Sequence, residues 1–220
     1  RKDGGIMSEF RYVRHTIEDG APALEGIPHV RCGGQTLIIY LCDVCSDAEI
    51  ELNFTVYDDS DVLVRNAKIV NAGKQSFCLR KAFSFCVDLP DNNYKILRMH
   101  GAWTRERTPE ITDLGHGIVR LQSTCGASSF GIHPFLCLLE QDCREEKGVC
   151  YGVQLVYSGN FALTAERNSF GTVRLSGGIN DEQFCWKVKG GENFTSPQAL
   201  LCNSERGLGV LSRGYDDLIR

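Results

Sequence analysis

The stretch Glu49-Ile50-Glu51-Leu52-Asn53-Phe54-Thr55-Val56-Tyr57 alternates polar and apolar residues without a break. Successive side chains of an extended strand point to opposite faces. Ile50, Leu52, Phe54 and Val56 therefore share one face, and Glu51, Asn53 and Thr55 share the other. This is the pattern of a half-buried strand, apolar toward the core and polar toward solvent. Asp58-Asp59-Ser60-Asp61 then turns the chain, and residues 62–70 resume as a strand that ends at the turn Asn71-Ala72-Gly73-Lys74.

The same rhythm runs outward from this pair. Residues 77–87 form another run, and 88–93, containing Leu89-Pro90, read as a loop. Residues 94–99, 117–123, 134–140, 149–156, 161–166, 172–176 and 184–188 are further short strands. Residues 141–148 are a charged hairpin region, and Tyr157-Ser158-Gly159-Asn160 is a turn. The run 134–140 is almost wholly apolar, as expected of a central strand covered on both sides. A helical spacing is seen in the tail, 207–220, where Leu208, Leu211, Tyr215 and Leu218 recur every three or four residues. So many short strands bury their apolar faces best as two large antiparallel sheets packed face to face. The expected fold is all-β, with a β-sandwich over 1–206 and a short C-terminal helix over 207–220.

Composition narrows the function. With 220 residues, 42% of them hydrophobic, the chain can bury a substantial core, and disorder is excluded. The formal net charge of −4 and the dispersed basic residues give no reason to expect a nucleic-acid partner. No stretch approaches the roughly 18 apolar residues of a membrane-spanning helix. Arg1-Lys2-Asp3-Gly4-Gly5-Ile6 is not followed by the apolar region of a signal peptide, so the expected location is cytoplasmic. The 11 cysteines are odd in number and sit mostly in apolar runs, which suits reduced thiols acting as small buried hydrophobes. Cys42-Asp43-Val44-Cys45 has no second such pair and precedes a strand, so neither a metal nor a redox site is expected. Five scattered histidines show no ligand spacing. No metal and no cofactor are anticipated. Asn53-Phe54-Thr55 and Asn193-Phe194-Thr195 match glycosylation acceptors but are read as chance matches.

Several segments, taken in order, carry a family resemblance. They include Leu24-Glu25-Gly26-Ile27-Pro28, Asp88-Leu89-Pro90 and His100-Gly101-Ala102-Trp103-Thr104-Arg105-Glu106-Arg107. Further along come Gly126-Ala127-Ser128-Ser129, Gly152-Val153-Gln154-Leu155-Val156-Tyr157-Ser158-Gly159-Asn160-Phe161 and Gly177-Gly178-Ile179-Asn180. The last are Phe184-Cys185-Trp186-Lys187-Val188-Lys189-Gly190-Gly191-Glu192-Asn193-Phe194-Thr195-Ser196-Pro197-Gln198-Ala199, Ser204-Glu205-Arg206-Gly207-Leu208 and Leu211-Ser212. Together they resemble the non-catalytic N-terminal domain of microbial α-galactosidases of glycoside hydrolase family 36, from about residue 10 to the end. The resemblance implies a β-supersandwich that begins later than the family's domain, leaving sheet edges for a partner chain to cover. It also implies a following catalytic (β/α)8 barrel as the main partner, α-galactosides as substrates of the full enzyme, and a homo-oligomer. In that family two aspartates of the barrel carry out the hydrolysis, and neither of their motifs occurs here, so no catalytic residue is expected in this chain.

Two acidic clusters fit that expectation. Asp58, Asp59 and Asp61 spell a solvated turn, and Asp216-Asp217 point in different directions from a helix. In the family, loops of this domain approach the sugar site of the same or a neighbouring subunit. By that resemblance His100, Trp103, Arg105, Arg107, Phe130 and His133 are the candidates for a sugar-facing or interdomain role. Trp103 suits a stacking platform, an interdomain contact or core packing, with the interdomain contact foremost. Phe130 and His133 stand where the family usually has histidine and asparagine, and Phe130 fits packing better than sugar stacking. Trp186 reads as core. The alternatives to an α-galactosidase domain are a free-standing carbohydrate-binding module and a structural domain of a degenerate glycosidase.

Overall fold

The computed structural model describes residues 7–128 and 131–219. In chain order the strands are β1 (Phe10–Asp19), β2 (Gln35–Asp43), β3 (Ala48–Tyr57), β4 (Ser60–Asn71), β5 (Phe77–Leu79), β6 (Phe83–Pro90), β7 (Lys95–Ala102) and β8 (Arg105–Asp113). They continue as β9 (Gly117–Gln122), β10 (Ile132–Leu139), β11 (Cys150–Val156), β12 (Phe161–Arg167), β13 (Thr172–Ile179), β14 (Trp186–Val188), β15 (Asn193–Thr195) and β16 (Gln198–Ser204), followed by helix α1 (Leu208–Ile219). Ten strands form one sheet in the order β1-β2-β3-β4-β16-β11-β10-β7-β8, with β15 paired to β4. A four-stranded sheet, β6-β13-β12-β9, lies over part of it, and β14-β5 make a separate ribbon. The all-β architecture and the single C-terminal helix match the sequence expectation, and the ladders between these strands are antiparallel. The two sheets are unequal in size, and the ribbon adds a third.

The central strand β10 explains its own composition. Leu136 and Leu138 face the four-stranded sheet, in a core with Ile96, Leu155, Phe161, Leu163 and Leu175. Phe135, Cys137 and Leu139 face the other way, in a core with Leu200, Leu211, Tyr215 and Leu218 of β16 and α1. A strand covered on both faces has no solvent side, so alternation disappears. The first turn of α1 is held by backbone rather than by a capping side chain. The Leu208 and Gly209 amides donate to the Arg144 and Glu145 carbonyls at 3.1 and 2.8 Å, which satisfies donors a helix start leaves open. Gly207 has φ 82, and a Cβ on it would meet the Lys147 nitrogen and the Glu145 carbonyl, so the charged hairpin can approach only a glycine.

The structure corrects the reading of β3. Its two faces alternate as expected, but the polar one is the better buried. Asn53 and Thr55 are 3% and 1% exposed, while Ile50, Leu52 and Phe54 are only half-buried and Val56 is 52% exposed. The polar face lies under residues 20–34. Val30 is buried there and donates to Gln198 Oε1 at 2.8 Å, Thr36 reaches the Gly20 carbonyl at 2.7 Å and the Thr55 hydroxyl at 2.8 Å, and Tyr57 reaches the Arg31 carbonyl at 2.9 Å. The four-stranded sheet covers β10 through β9 and β12, and β16 and β4 through β6, with its main contacts ending at β4. The apolar face of β2 and β3 is therefore left half-open: Leu37 lies opposite Phe54, Ile39 opposite Leu52 and Leu41 opposite Ile50.

Other departures have local causes. Residues 77–87 are not one strand: β5 joins the ribbon and β6 the four-stranded sheet, with Arg80, Lys81 and Ala82 between. The loop read at 88–93 begins later, because β6 runs through Pro90, on an edge strand where a missing N–H costs no ladder bond. β8 contains Pro109 and is also an edge strand, which is why a residue type that argues against strands did not prevent one. Trp186 is not core: it is 53% exposed at the rim of the ribbon, although its ring stands 5.6 Å from that of Phe194. The cysteines divide differently from expectation as well. Cys137, Cys143, Cys150 and Cys202 are buried, whereas Cys32, Cys45, Cys78, Cys86, Cys125 and Cys185 are exposed. Asn53 of the first glycosylation-like motif is buried inside β3.

Candidate functional site

Five of the six residues singled out from the sequence gather at one corner of the large sheet. Phe130 lies outside the described residues. β7 and β8 form an edge hairpin in which Ala102 pairs with Arg105, so Trp103-Thr104 is its two-residue turn. Thr104 is in the left-handed region with φ 65, and its N–H donates to Glu106 Oε1 at 3.0 Å. Trp103, at the tip, is 78% exposed, which removes core packing from its possible roles.

A bulge follows the turn. The register shifts between His100 and Ala102, and Arg107 takes φ 57. Gly101 lies against this bulge, where a Cβ would stand 2.8 Å from Glu106 Cα and 3.0 Å from the Arg107 nitrogen. Only glycine lets the two strands close here. The Gly101 amide donates to the Gly131 carbonyl at 2.9 Å, and His100 pairs with Ile132, which brings residues 131–133 to the hairpin.

The electrostatics of the corner follow from this packing. His133 is half-buried, with Nδ1 buried and without a hydrogen-bond partner. Burial, aided by the Arg107 charge, holds its pKa down to about 4, so the ring is neutral at pH 7. Arg105 and Arg107 are exposed. His100 Nε2 lies 4.0 Å from Glu110 Oε2. Glu110 accepts two bonds from Arg98, at 2.9 and 2.8 Å, and these hold its carboxyl below the usual carboxylate range. The Arg98–Glu110 pair was not read from the sequence. Its only signal was the cross-strand placement of opposite charges, visible once β8 is known to be a strand.

Chemically, the corner offers an exposed aromatic plate, two exposed guanidinium groups and a neutral imidazole. Such a set can stack on an apolar ring face and donate hydrogen bonds to hydroxyl or carboxylate oxygens. A retaining glycosidase pair is a different arrangement, with two carboxyls about 5 Å apart on a rigid frame. Among the described residues Asp43 is the one buried acid, and it receives the Glu9 amide at 2.7 Å and the Ser46 hydroxyl at 2.5 Å. Asp58 and Asp59 form the exposed two-residue turn between β3 and β4, where Asp59 pairs with Arg31. Asp216 and Asp217 are exposed on α1. A shallow groove lies elsewhere, on the outer face of the four-stranded sheet, lined by Lys81, Phe83, Ile118, Arg120, Glu166 and Arg174.

Comparison with known proteins places these observations. The family described as glycosyl hydrolase family 36 N-terminal domain matches residues 1–189. Alpha-galactosidase Mel36A of Lactobacillus acidophilus is 36% identical over 221 residues, which cover 99% of this chain and 30% of that protein. Alpha-galactosidase AgaA of Geobacillus stearothermophilus is 36% identical over 223 residues, covering 100% of this chain and 31% of that protein. The crystal structure of AgaA superposes with a TM-score of 0.95 over 99% of this chain and 31% of its own, and a variant of it was solved in complex with stachyose. The α-galactosidase of Lactobacillus brevis superposes with a TM-score of 0.94 at 30% identity, over 98% of this chain and 30% of its own. The chain thus spans about 30% of the length of the relatives it matches. It belongs to the glycosyl hydrolase family 36 N-terminal domain family.

Proposed function

We propose that this chain is the non-catalytic domain of a retaining α-galactosidase, supporting the catalytic (β/α)8 barrel of a longer protein and its assembly into a homo-oligomer. The substrates of the whole enzyme are α-galactosides, the class to which the stachyose bound by a variant of AgaA belongs. The observation that carries this reading is the half-open apolar face of β2 and β3. Leu37, Ile39, Leu41, Ile50, Leu52 and Phe54 keep partial exposure beside the exposed Ile17 of β1, while polar Asn53 and Thr55 are buried behind them. A sheet face of this composition matches an interface with another domain or subunit better than a solvent face.

Within this role the β7–β8 corner is the segment that reaches toward the sugar site, with Trp103 as a stacking or interdomain contact and Arg105 and Arg107 as donors. The test uses Ile39→Asp and Leu52→Asp in the full-length parent and in residues 1–220 alone. The full-length variants are expected to lose assembly on size-exclusion chromatography and to lose activity with it, while the short chain keeps its melting temperature to within a few degrees. Unchanged assembly and activity in both full-length variants would refute the interface.

A second reading, a free-standing carbohydrate-binding module, is favoured by one observation: Trp103 is 78% exposed. Titration of residues 1–220 with galactose and raffinose, followed by tryptophan emission, separates the two. Saturable quenching lost in Trp103→Ala supports the module, and a flat titration leaves the domain reading.

A further inference from the structure

The ribbon β5–β14 places two exposed thiols together. Its register pairs Leu79 with Trp186, Cys78 with Lys187 and Phe77 with Val188. Phe77, Leu79 and Val188 pack inward against Ile69, Ala82 and Phe194. By alternation Cys78 and Lys187 take the outer face, and Cys185, two residues before Lys187, takes the same side. Both cysteines are exposed on that face, and Cys185 stands near enough to Cys78 to raise the pKa of its thiol. Arg80 and Lys187 bring positive charge to Cys78. Cys137, Cys143 and Cys150 also contact one another, but they are buried beneath α1, away from any dissolved oxidant. Cys125, exposed, bonds instead to the Ser123 hydroxyl and the Ala127 carbonyl.

We propose that Cys78 and Cys185 form a redox modification site, a vicinal dithiol that a peroxide closes to a disulfide and a thiol reductant reopens. The neighbouring Cys185 pushes the Cys78 thiol up, so the attack is assigned to Cys185, with Cys78 as the resolving thiol. The Cys185 thiolate attacks one peroxide oxygen, the O–O bond breaks, and the departing hydroxide takes up a proton to leave as water. The resulting sulfenic acid on Cys185 is attacked by the Cys78 sulfur. The S–O bond breaks, and the hydroxyl leaves as a second water with the proton that Cys78 gives up. Two thiols are oxidised and one peroxide is reduced. The bond joins β5 to the residue before β14 across a long stretch of chain and fastens the ribbon over Ile69 and Phe194.

The experiment treats the intact chain with equimolar hydrogen peroxide, blocks remaining thiols with N-ethylmaleimide, and maps tryptic peptides by mass spectrometry before and after dithiothreitol. The expected result is joint loss of Cys78 and Cys185 from the alkylated pool, a Cys78–Cys185 linked peptide that dithiothreitol removes, and continued alkylation of Cys86 and Cys125. In Cys78→Ser the linked peptide is lost and Cys185 is trapped as sulfenic acid by dimedone, with the far-ultraviolet spectrum of the parent confirming the fold. Retention of both thiols while Cys86 or Cys125 is oxidised would overturn the proposal. So would pairing of either residue with any other cysteine, including one on a second molecule.

Discussion

His133 is neutral at neutral pH because burial of its ring, aided by the Arg107 charge, holds its pKa down to about 4 against the ordinary 6.5. Between these values the unfolded chain binds a proton that the folded chain refuses. Stability is therefore full above the unfolded pKa and falls as pH drops through this window, by about 2–3 kcal/mol. His133→Asn is expected to flatten the unfolding free energy between pH 6.5 and 4 by that amount in urea titrations. Parallel curves for the two proteins would refute the assignment. A second residue-scale prediction concerns Arg167, which bonds Asp91 at 2.7 Å, the Leu114 carbonyl at 3.0 Å and Asn93 Oδ1 at 2.5 Å. Burial pushes the Asp91 carboxyl up, but the Asn93 amide and Arg167 outweigh it and hold it below its ordinary value. Arg167→Ala leaves that acid half-partnered and is expected to cost about 2–4 kcal/mol in chemical denaturation. Sequence reading located His133, Trp103, Arg105 and Arg107 because they stand in recognisable segments. It could not show that Gly131 bonds Gly101, since that contact joins residues 30 positions apart and has no local pattern.

At the scale of elements, α1 depends on one backbone conformation. Gly207→Ala forces a side chain into the left-handed region and against the 144–147 backbone, and is expected to destabilise by about 2–4 kcal/mol on thermal melting. Leu218→Ala, at a position with no solvent exposure, should cost about 2–5 kcal/mol through the cavity it leaves. A Gly207→Ala protein as stable as the parent would mean that α1 docks by other contacts. The helix itself was legible because Leu211, Tyr215 and Leu218 hold a regular spacing, and all three are buried. β9 and β11 through β13 were legible as short strands bounded by turns, and β10 from its apolar run. β1 and β8 were not, because almost every residue of both is exposed, so neither shows an apolar face to read. Pro109 deepened that concealment. The inverted burial of β3 was hidden for another reason: alternation tells which residues share a face, and what covers each face is set by residues 20–34 and by the reach of the smaller sheet.

For the whole molecule, the two sheets, the buried faces of β10 and the half-open face of β2 and β3 describe a β-domain that presents apolar surface and one aromatic corner outward. Chemistry on a glycosidic bond needs a facing pair of carboxyls; Asp58 and Asp59 lie in a turn, Asp216 and Asp217 on a helix surface, and Asp43, the one buried acid among the described residues, is held by hydrogen bonds. Under the proposed function, hydrolysis is carried out by residues outside this chain. The measurement that tests this most directly is release of nitrophenol from p-nitrophenyl α-galactoside by the full-length parent and by residues 1–220 alone at equal molar concentration. The account predicts turnover by the parent and none above the buffer rate by the short chain. Turnover by the short chain would contradict it.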